Sequence, residues 1–232
     1  MAIAGFSAKA KLTGTSTAFT NEACTEVTAN TVYRITNAAK RIVDPTVAIT
    51  VQTDPIADGT WGTIAAADYT FDYLFGTVTF SADQGGPALV RVSAGNYLPI
   101  LAVAEVRSFE FSASRTVLET TTQDTTGAKT KLLGLGDIEG SAELLAHLLN
   151  DLDSGVGGIQ SIHSFFLAGT PKVLEFRPGS GTTYFRAWVK FDGVKEKSEV
   201  DGLVTASVAF KGAAVAGVTK AAGASFGWGV GG

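Results

Sequence analysis

Hydrophobic residues recur at every second position in a series of short segments: Val47, Ile49 and Val51; Tyr69, Phe71 and Tyr73; Val78 and Phe80. Val90 and Val92 repeat the pattern opposite Leu89 and Arg91. A period of two puts apolar side chains on one face of a pleated chain, so these segments predict short antiparallel strands. Turn formers lie between them, namely Asp44-Pro45, Asp54-Pro55, Asp58-Gly59, Gly76 and Gly85-Gly86-Pro87, at roughly the 8–12 residue spacing of an all-β module. Residues 30–99 are therefore expected to form one compact β unit that ends at Pro99.

A second β section follows. Residues 103–114 alternate through Val106, Phe109 and Phe111, with Arg107 and Glu110 interspersed, and predict a long strand exposed on one face. The stretch 116–131, centred on Thr120, Thr121, Thr122, Gln123, Asp124, Thr125, Thr126 and Gly127, is too long for a tight turn and too polar for a core. Strand character resumes over 134–144, with Ile138, Gly140 and Ala142 on one face and the charges on the other. The small residues there admit a close neighbour. Ile159, Ile162, Phe165 and Phe166 have helical spacing, which predicts a helix over 158–168 stopped by Gly169. Residues 145–152 carry a helical face too and predict a brief second helix. Strands are expected again at 172–177, 184–191 and 204–210, with a hairpin turn at Pro178-Gly179-Ser180-Gly181. The Ala- and Gly-rich tail from Gly212 onward cannot order itself from local contacts, so it is expected to be disordered or to dock on a neighbour.

Composition narrows the function. Only 17% of the 232 residues are charged, and mean hydropathy is +0.22, which implies that much of the surface meets other protein. The net charge is −4, and no basic run interleaved with aromatics offers a nucleic-acid groove. The single cysteine, Cys24, cannot form an internal disulfide and has no neighbours for a zinc site. The opening residues, Met1 to Phe6, lack the basic region and apolar core of a signal peptide, and no run approaches a membrane span, so synthesis is expected in the cytoplasm with no membrane partner.

Candidate chemistry is sparse. His147 lies among leucines and His163 beside Phe165 and Phe166, positions that fit a helix surface or core better than a general base. Asp137, Glu139 and Glu143 could pair as acid and base or hold a metal, but strand alternation explains them as one solvated face. Gly134-Leu135-Gly136 is too short for a phosphate cradle. No catalytic residue, cofactor or metal site is expected, and the chain reads as a non-enzyme.

The order of long strand, polar loop, Leu132-Leu133-Gly134-Leu135-Gly136-Asp137-Ile138-Glu139-Gly140-Ser141, helix and paired strands resembles the major tail tube proteins of long-tailed bacteriophages (siphophages) over residues 100–212. Upstream, residues 33–41, residues 71–80 and Gly95-Asn96-Tyr97-Leu98-Pro99 look like the N-terminal region of some members. The resemblance implies a mainly β fold, a β-sandwich or half-barrel with one flanking α-helix, which closes into a ring-shaped barrel on oligomerisation. It implies a structural virion protein whose hexameric rings stack into the tail tube that delivers DNA. Residues 120–127 would then be the stacking loop between rings, and Glu110, Glu119, Asp137, Glu139 and Glu143 would face the lumen. Partners implied are other copies of the chain, the tape measure protein, the tail terminator, the distal tail or initiator proteins, and DNA passing without sequence preference. The chain would divide into an N-terminal arm or strand of the tube core (1–29), an additional small β unit (30–99), the tube core (100–212) and a C-terminal arm (213–232). The additional unit departs from the smallest family members. Three other readings compete: a capsid decoration protein; a carbohydrate-binding β-sandwich with Trp61, Trp188 and Trp228 as stacking platforms; and a small hydrolase on a β scaffold, for which the two histidines leave almost no candidate base.

Overall fold

The structure, a computed structural model, describes residues 8–86, 88–120, 130–145, 158–177, 183–197, 205–215 and 226–230. The fold is mainly β, with two curled sheets and one α-helix. The first sheet contains β1 (Ala8–Thr13), β9 (Ile100–Thr120), β10 (Thr130–Leu145), β11 (Lys172–Arg177), β12 (Thr183–Lys197), β13 (Thr205–Gly212) and β14 (Phe226–Val230). The second contains β2 (Thr17–Thr28), β3 (Val32–Ile35), β4 (Thr50–Asp54), β5 (Gly62–Thr63), β6 (Tyr69–Asp72), β7 (Thr77–Phe80) and β8 (Leu89–Tyr97). Residues 17–28, read from sequence with the N-terminal arm, thus pair with β3 and β8 of the second sheet.

The first sheet runs β1-β9-β10-β13-β12, and β11 pairs with both β12 and β1. The hydrogen-bond ladder therefore returns on itself through six strands within one chain. All six contribute to the interior: Leu12, Val106, Ile138, Phe176, Phe185 and Phe210 are buried together, and Ile162 joins them from helix α1 (Gly158–Ala168). Phe109 stacks on Phe176 with centroids 4.8 Å apart, and Phe111 on Phe185 at 4.4 Å. Helix α1 spans the predicted residues and ends where Gly169 takes φ +59°, its N–H donating to the Phe166 carbonyl at 3.1 Å. The expected second helix at 146–152 and the turn at 178–181 lie outside the described residues, although Leu145 itself ends β10.

Gly140 is the close approach that its sequence neighbourhood suggested. A Cβ there would lie 2.4 Å from the Glu110 carbonyl oxygen and 2.5 Å from Phe210 Cζ. The phenyl ring occupies the volume that any side chain at 140 would need.

In the second sheet Phe19, Tyr33, Ile35, Val51, Val78, Val90 and Val92 form the core. Its first strand in the 47–51 pattern starts only at Thr50, because Asp44 turns the chain before it: its carboxylate accepts from the Thr46 N–H and hydroxyl at 2.9 and 2.6 Å. The strand at 69–73 ends at Asp72 for the same reason. The Asp72 carboxylate accepts from the Leu74 and Phe75 N–H groups at 2.9 and 3.2 Å, and Gly76 completes the turn at φ +64°, with the Arg41 carbonyl oxygen 2.7 Å from where a Cβ would sit.

That turn docks onto the first sheet. Ile42 and Leu74 pack with Val173, Trp188 and Ala213 in a third cluster, and Arg186 Nη1 donates to the Leu74 carbonyl at 3.1 Å. Arg186 Nε also meets the fully buried Glu175 at 2.7 Å, and Arg177 Nε bonds the other Glu175 oxygen at 2.7 Å. Outward-facing positions of β11 and β12 are thus covered by the second sheet, which explains why Tyr184, Arg186 and Trp188 are buried as fully as their inward neighbours Phe185, Ala187 and Val189.

Two stability predictions follow from this packing. Gly140→Ala drives a methyl group into backbone and a locked ring, and should cost about 1–3 kcal/mol, read as a lower urea midpoint; an unchanged midpoint would contradict the close approach. Burial raises the Asp72 carboxyl above its usual range, opposed only in part by the Leu74 and Phe75 N–H donors and then by Arg186. A raised folded value means that this group's stabilising share is full below the unfolded pKa and is lost as pH rises through the folded one. Asp72→Asn keeps the acceptor without the charge, so the variant should exceed the parent in stability at pH 7 and match it near pH 3. A less stable variant at pH 7 would reverse the sign assigned here.

Candidate assembly surface

The outer face of β9, β10, β13 and β12 is the part of the first sheet that the second sheet does not cover. Register places its residues in rows: Ser108, Glu143, Ser207 and Lys195; Glu110, Ser141, Ala209 and Gly193; Ser112, Glu139, Lys211 and Lys190. All but Glu143 and Gly193 are exposed, and those two are half-buried. The inward rows between them are apolar, including Phe111, Gly140, Phe210 and Phe191.

Two bulges make this alternation possible. Leu144 pairs with Val106 and Glu143 with Ser108, so Arg107 is an extra residue, and Val106 and Ser108 face opposite ways. Phe191 pairs with Phe210 and Gly193 with Ala209, which leaves Asp192 extra and brings Lys190 and Lys195 to the same face. The Asp192 carboxylate meets Lys211 Nζ at 2.9 Å, both well exposed.

The four strands keep two open margins. β1 accompanies β9 only as far as Val106, and β11 accompanies β12 only as far as Val189. Beyond those residues, among the described residues, no strand pairs with the outer edge of β9 or with that edge of β12. Helix α1 packs against both strands and sends Ile162 into the interior. A helix contributes side chains and no ladder groups, so it adds no rung at those edges. β9 and β10 also pair from Val117 with Leu133 to Thr120 with Thr130, well past the last pair of β10 with β13 at Glu139 and Lys211.

Of the acidic residues singled out from sequence, Glu110, Glu139 and Glu143 share the outer face. Asp137 pairs with Ser114 and Glu119 with Lys131 in the ladder, while their side chains lie outside the described residues. Thr120 ends β9, and Thr121, Thr122, Gln123, Asp124, Thr125, Thr126 and Gly127 also lie outside them. Sequence reasoning missed the lysines. Lys190, Lys195 and Lys211 make the face mixed in charge, acidic toward β9 and β10 and basic toward β12. Lys190 and Lys195 are an odd five positions apart, which strict alternation would put on opposite faces, and only the bulge at Asp192 aligns them.

The remaining candidates are scattered. His163 is exposed on α1, beside the Phe166 ring at 6.4 Å, and His147 lies outside the described residues. Among the described residues no group of His, Cys, Asp and Glu could hold a metal, and no helix is long and apolar enough to cross a membrane. Cys24 is half-buried, and burial pushes its thiol up to about 12. Trp188 is 3% exposed within the junction cluster and offers no platform to a sugar. The Arg91 guanidinium covers Trp61 at 4.0 Å. Trp228 pairs with Phe185 in the ladder. The tail expected to be disordered or docked on a neighbour is in part β14 of this chain's own sheet, where the free edge at Thr183 to Ala187 supplies the backbone partners that local contacts cannot.

The class defined by this geometry is a mainly β, two-sheet protein whose first sheet, among the described residues, ends in two open edges flanking a polar face. No protein-family model and no curated protein matches the sequence. Among solved structures, it is similar to a chain in the tail of an empty gene transfer agent particle refined with helical C6 symmetry, at 12% identity over 50% of this chain and 84% of that one, with a TM-score of 0.39. It is similar also to a chain in the virion of a native gene transfer agent particle, at 12% identity over 50% of this chain and 85% of that one, with a TM-score of 0.37. At this level the likeness assigns neither a family nor an activity.

Proposed function

We propose that this chain is a major tail tube protein of a long-tailed phage, a non-enzymatic virion subunit that joins edge to edge into rings. The observation that carries the reading is the pair of open edges on opposite sides of one four-stranded sheet. The strands β9, β10, β13 and β12 alternate in direction, so an even number per copy lets β12 of one copy meet β9 of the next in antiparallel pairing. The same joint then repeats around a ring and leaves no edge exposed. Charge supports that order of joining: Lys190 and Lys195 on β12 would approach Glu110 on the neighbour's β9, opposite-charge pairs worth about 0.2–1 kcal/mol each.

Six copies per ring is the number that the family resemblance implies. The polar face would line the lumen, with Glu110, Glu139 and Glu143, and Asp137 and Glu119 further along the hairpin. Lysines at 190 and 195 engaged at the joints and Lys211 held by Asp192 would present few free cations, so DNA could pass without the counterion-releasing contacts that fix it in place. The β9-to-β10 hairpin would carry residues 120–127 to the adjacent ring, and such head-to-tail stacking propagates into a tube. The tape measure, terminator and initiator proteins would meet the tube's interior and ends.

The joint is tested by charge reversal. Glu110→Lys should leave the monomer's melting temperature unchanged but raise several-fold the concentration at which rings or tubes appear by electron microscopy. Adding Lys190→Glu and Lys195→Glu to that variant should restore assembly. Undiminished assembly by Glu110→Lys alone would sink the β9-to-β12 joint. The stacking role is separate: deletion of residues 120–127 should leave circular dichroism unaltered and yield rings that do not elongate, whereas normal tubes would refute it.

A further inference from the structure

β13 and β14 lie on the same edge of β12 and run in the same direction. Gly212 pairs with Val189 and Phe226 with Ala187, while the Ala213 N–H donates to the Trp188 carbonyl at 2.8 Å. Consecutive places along β12 are therefore filled by residues 212, 213 and 226. Residues 214–225 are inserted between two neighbouring positions of what is otherwise one strand line.

A chain under no other demand would continue straight on, with Ala214 in the place that Phe226 holds. The insertion instead gives the terminal strand a tether that spans roughly 40 Å when extended, against a radius of gyration of roughly 17 Å for a compact chain of this length. The ladder that holds this strand is short. It pairs with β12 only from Thr183 to Ala187, its other edge has no strand partner among the described residues, and Gly227 and Gly229 bring no side chain to the contact.

The geometry points to β14 as an exchanged strand: in the assembled protein, residues 226–230 of one copy pair with Thr183 to Ala187 of a second copy. The same ladder bonds form within or between chains, so local concentration decides which occurs, and in an assembly the neighbour's slot lies within reach. This inference rests on the reading of the chain as a self-assembling subunit, and it assigns to the C-terminal strand a link separate from the β9-to-β12 joint.

Thr183 and Val230 oppose each other in register, which provides the test. In a Cys24→Ser background, which removes the only native thiol, Thr183→Cys and Val230→Cys are made as separate single variants. They are mixed in equal amounts, concentrated, oxidised and run on non-reducing gels, with particles followed by electron microscopy. Exchange predicts a disulfide-linked dimer in the mixture and none from either variant alone. Particles without that dimer would overturn exchange and leave the tube reading standing. The dimer without rings or tubes would support exchange and count against the tube. Absence of both would overturn exchange. A second variant lacking residues 214–225 places Phe226 directly after Ala213, in register for pairing within the chain. Carrying the same cysteine pair, it should fold and form the internal disulfide but give no mixed dimer; persistence of the dimer would refute the role of the tether.

Discussion

Closure of the first sheet is partial, and the rest of the molecule is arranged around that fact. β11 reaches β12 only from Phe185 to Val189, and β1 reaches β9 only as far as Val106. Within that zone every strand has two neighbours and the interior can be filled from all sides, as the Phe176, Phe185 and Phe210 packing shows. Past it, β9 and β12 are linked through β10 and β13 in one sheet. The closed part supplies the stability of a barrel, and the open part has two backbone margins with no strand partner among the described residues.

The second sheet is fixed to the closed part. Arg186 reaches the Leu74 carbonyl while held by Glu175, and Phe75 stacks on Tyr184 at 6.4 Å. A buried ion pair of this kind adds little net stability, but removing one partner leaves the other charge stranded. The second sheet therefore covers the outer side of β11 and of the first half of β12, and leaves the face around Glu110 and Glu139 uncovered.

Much of this was legible in the residues. Helix α1 was set by the spacing of Ile159, Ile162, Phe165 and Phe166 and by Gly169, signals that are local and need no partner. The alternation of Val78 with Phe80 and of Val90 with Val92 located β7 and β8 because one face of each is buried. Gly140 announced a close neighbour, though only the fold identifies it as Phe210. The illegible parts are those in which chain periodicity breaks. The sequence pattern Val106, Phe109, Phe111 already departs from a strict period of two, and the bulge at Arg107 is its cause. The bulge at Asp192 left no such trace, so Lys190 and Lys195 went unassigned to the face that they share with Glu110. The position of β14 was equally hidden, since a Gly-rich strand acquires its partners from β12 and not from its own side chains.

Helix α1 has a kinetic consequence. By filling the mouth between β9 and β12 with Ile162, it keeps the apolar interior out of water before any partner arrives. Under the proposed edge-to-edge joining, a copy would gain mainly ladder hydrogen bonds, each worth about 1 kcal/mol net, and little new apolar burial. Gains of that size offset the loss of translational freedom poorly when one margin is engaged and far better when both are. If copies join as proposed, growth would start reluctantly and proceed readily on a preformed template, so the helix that shields the interior would make that assembly dependent on a seed.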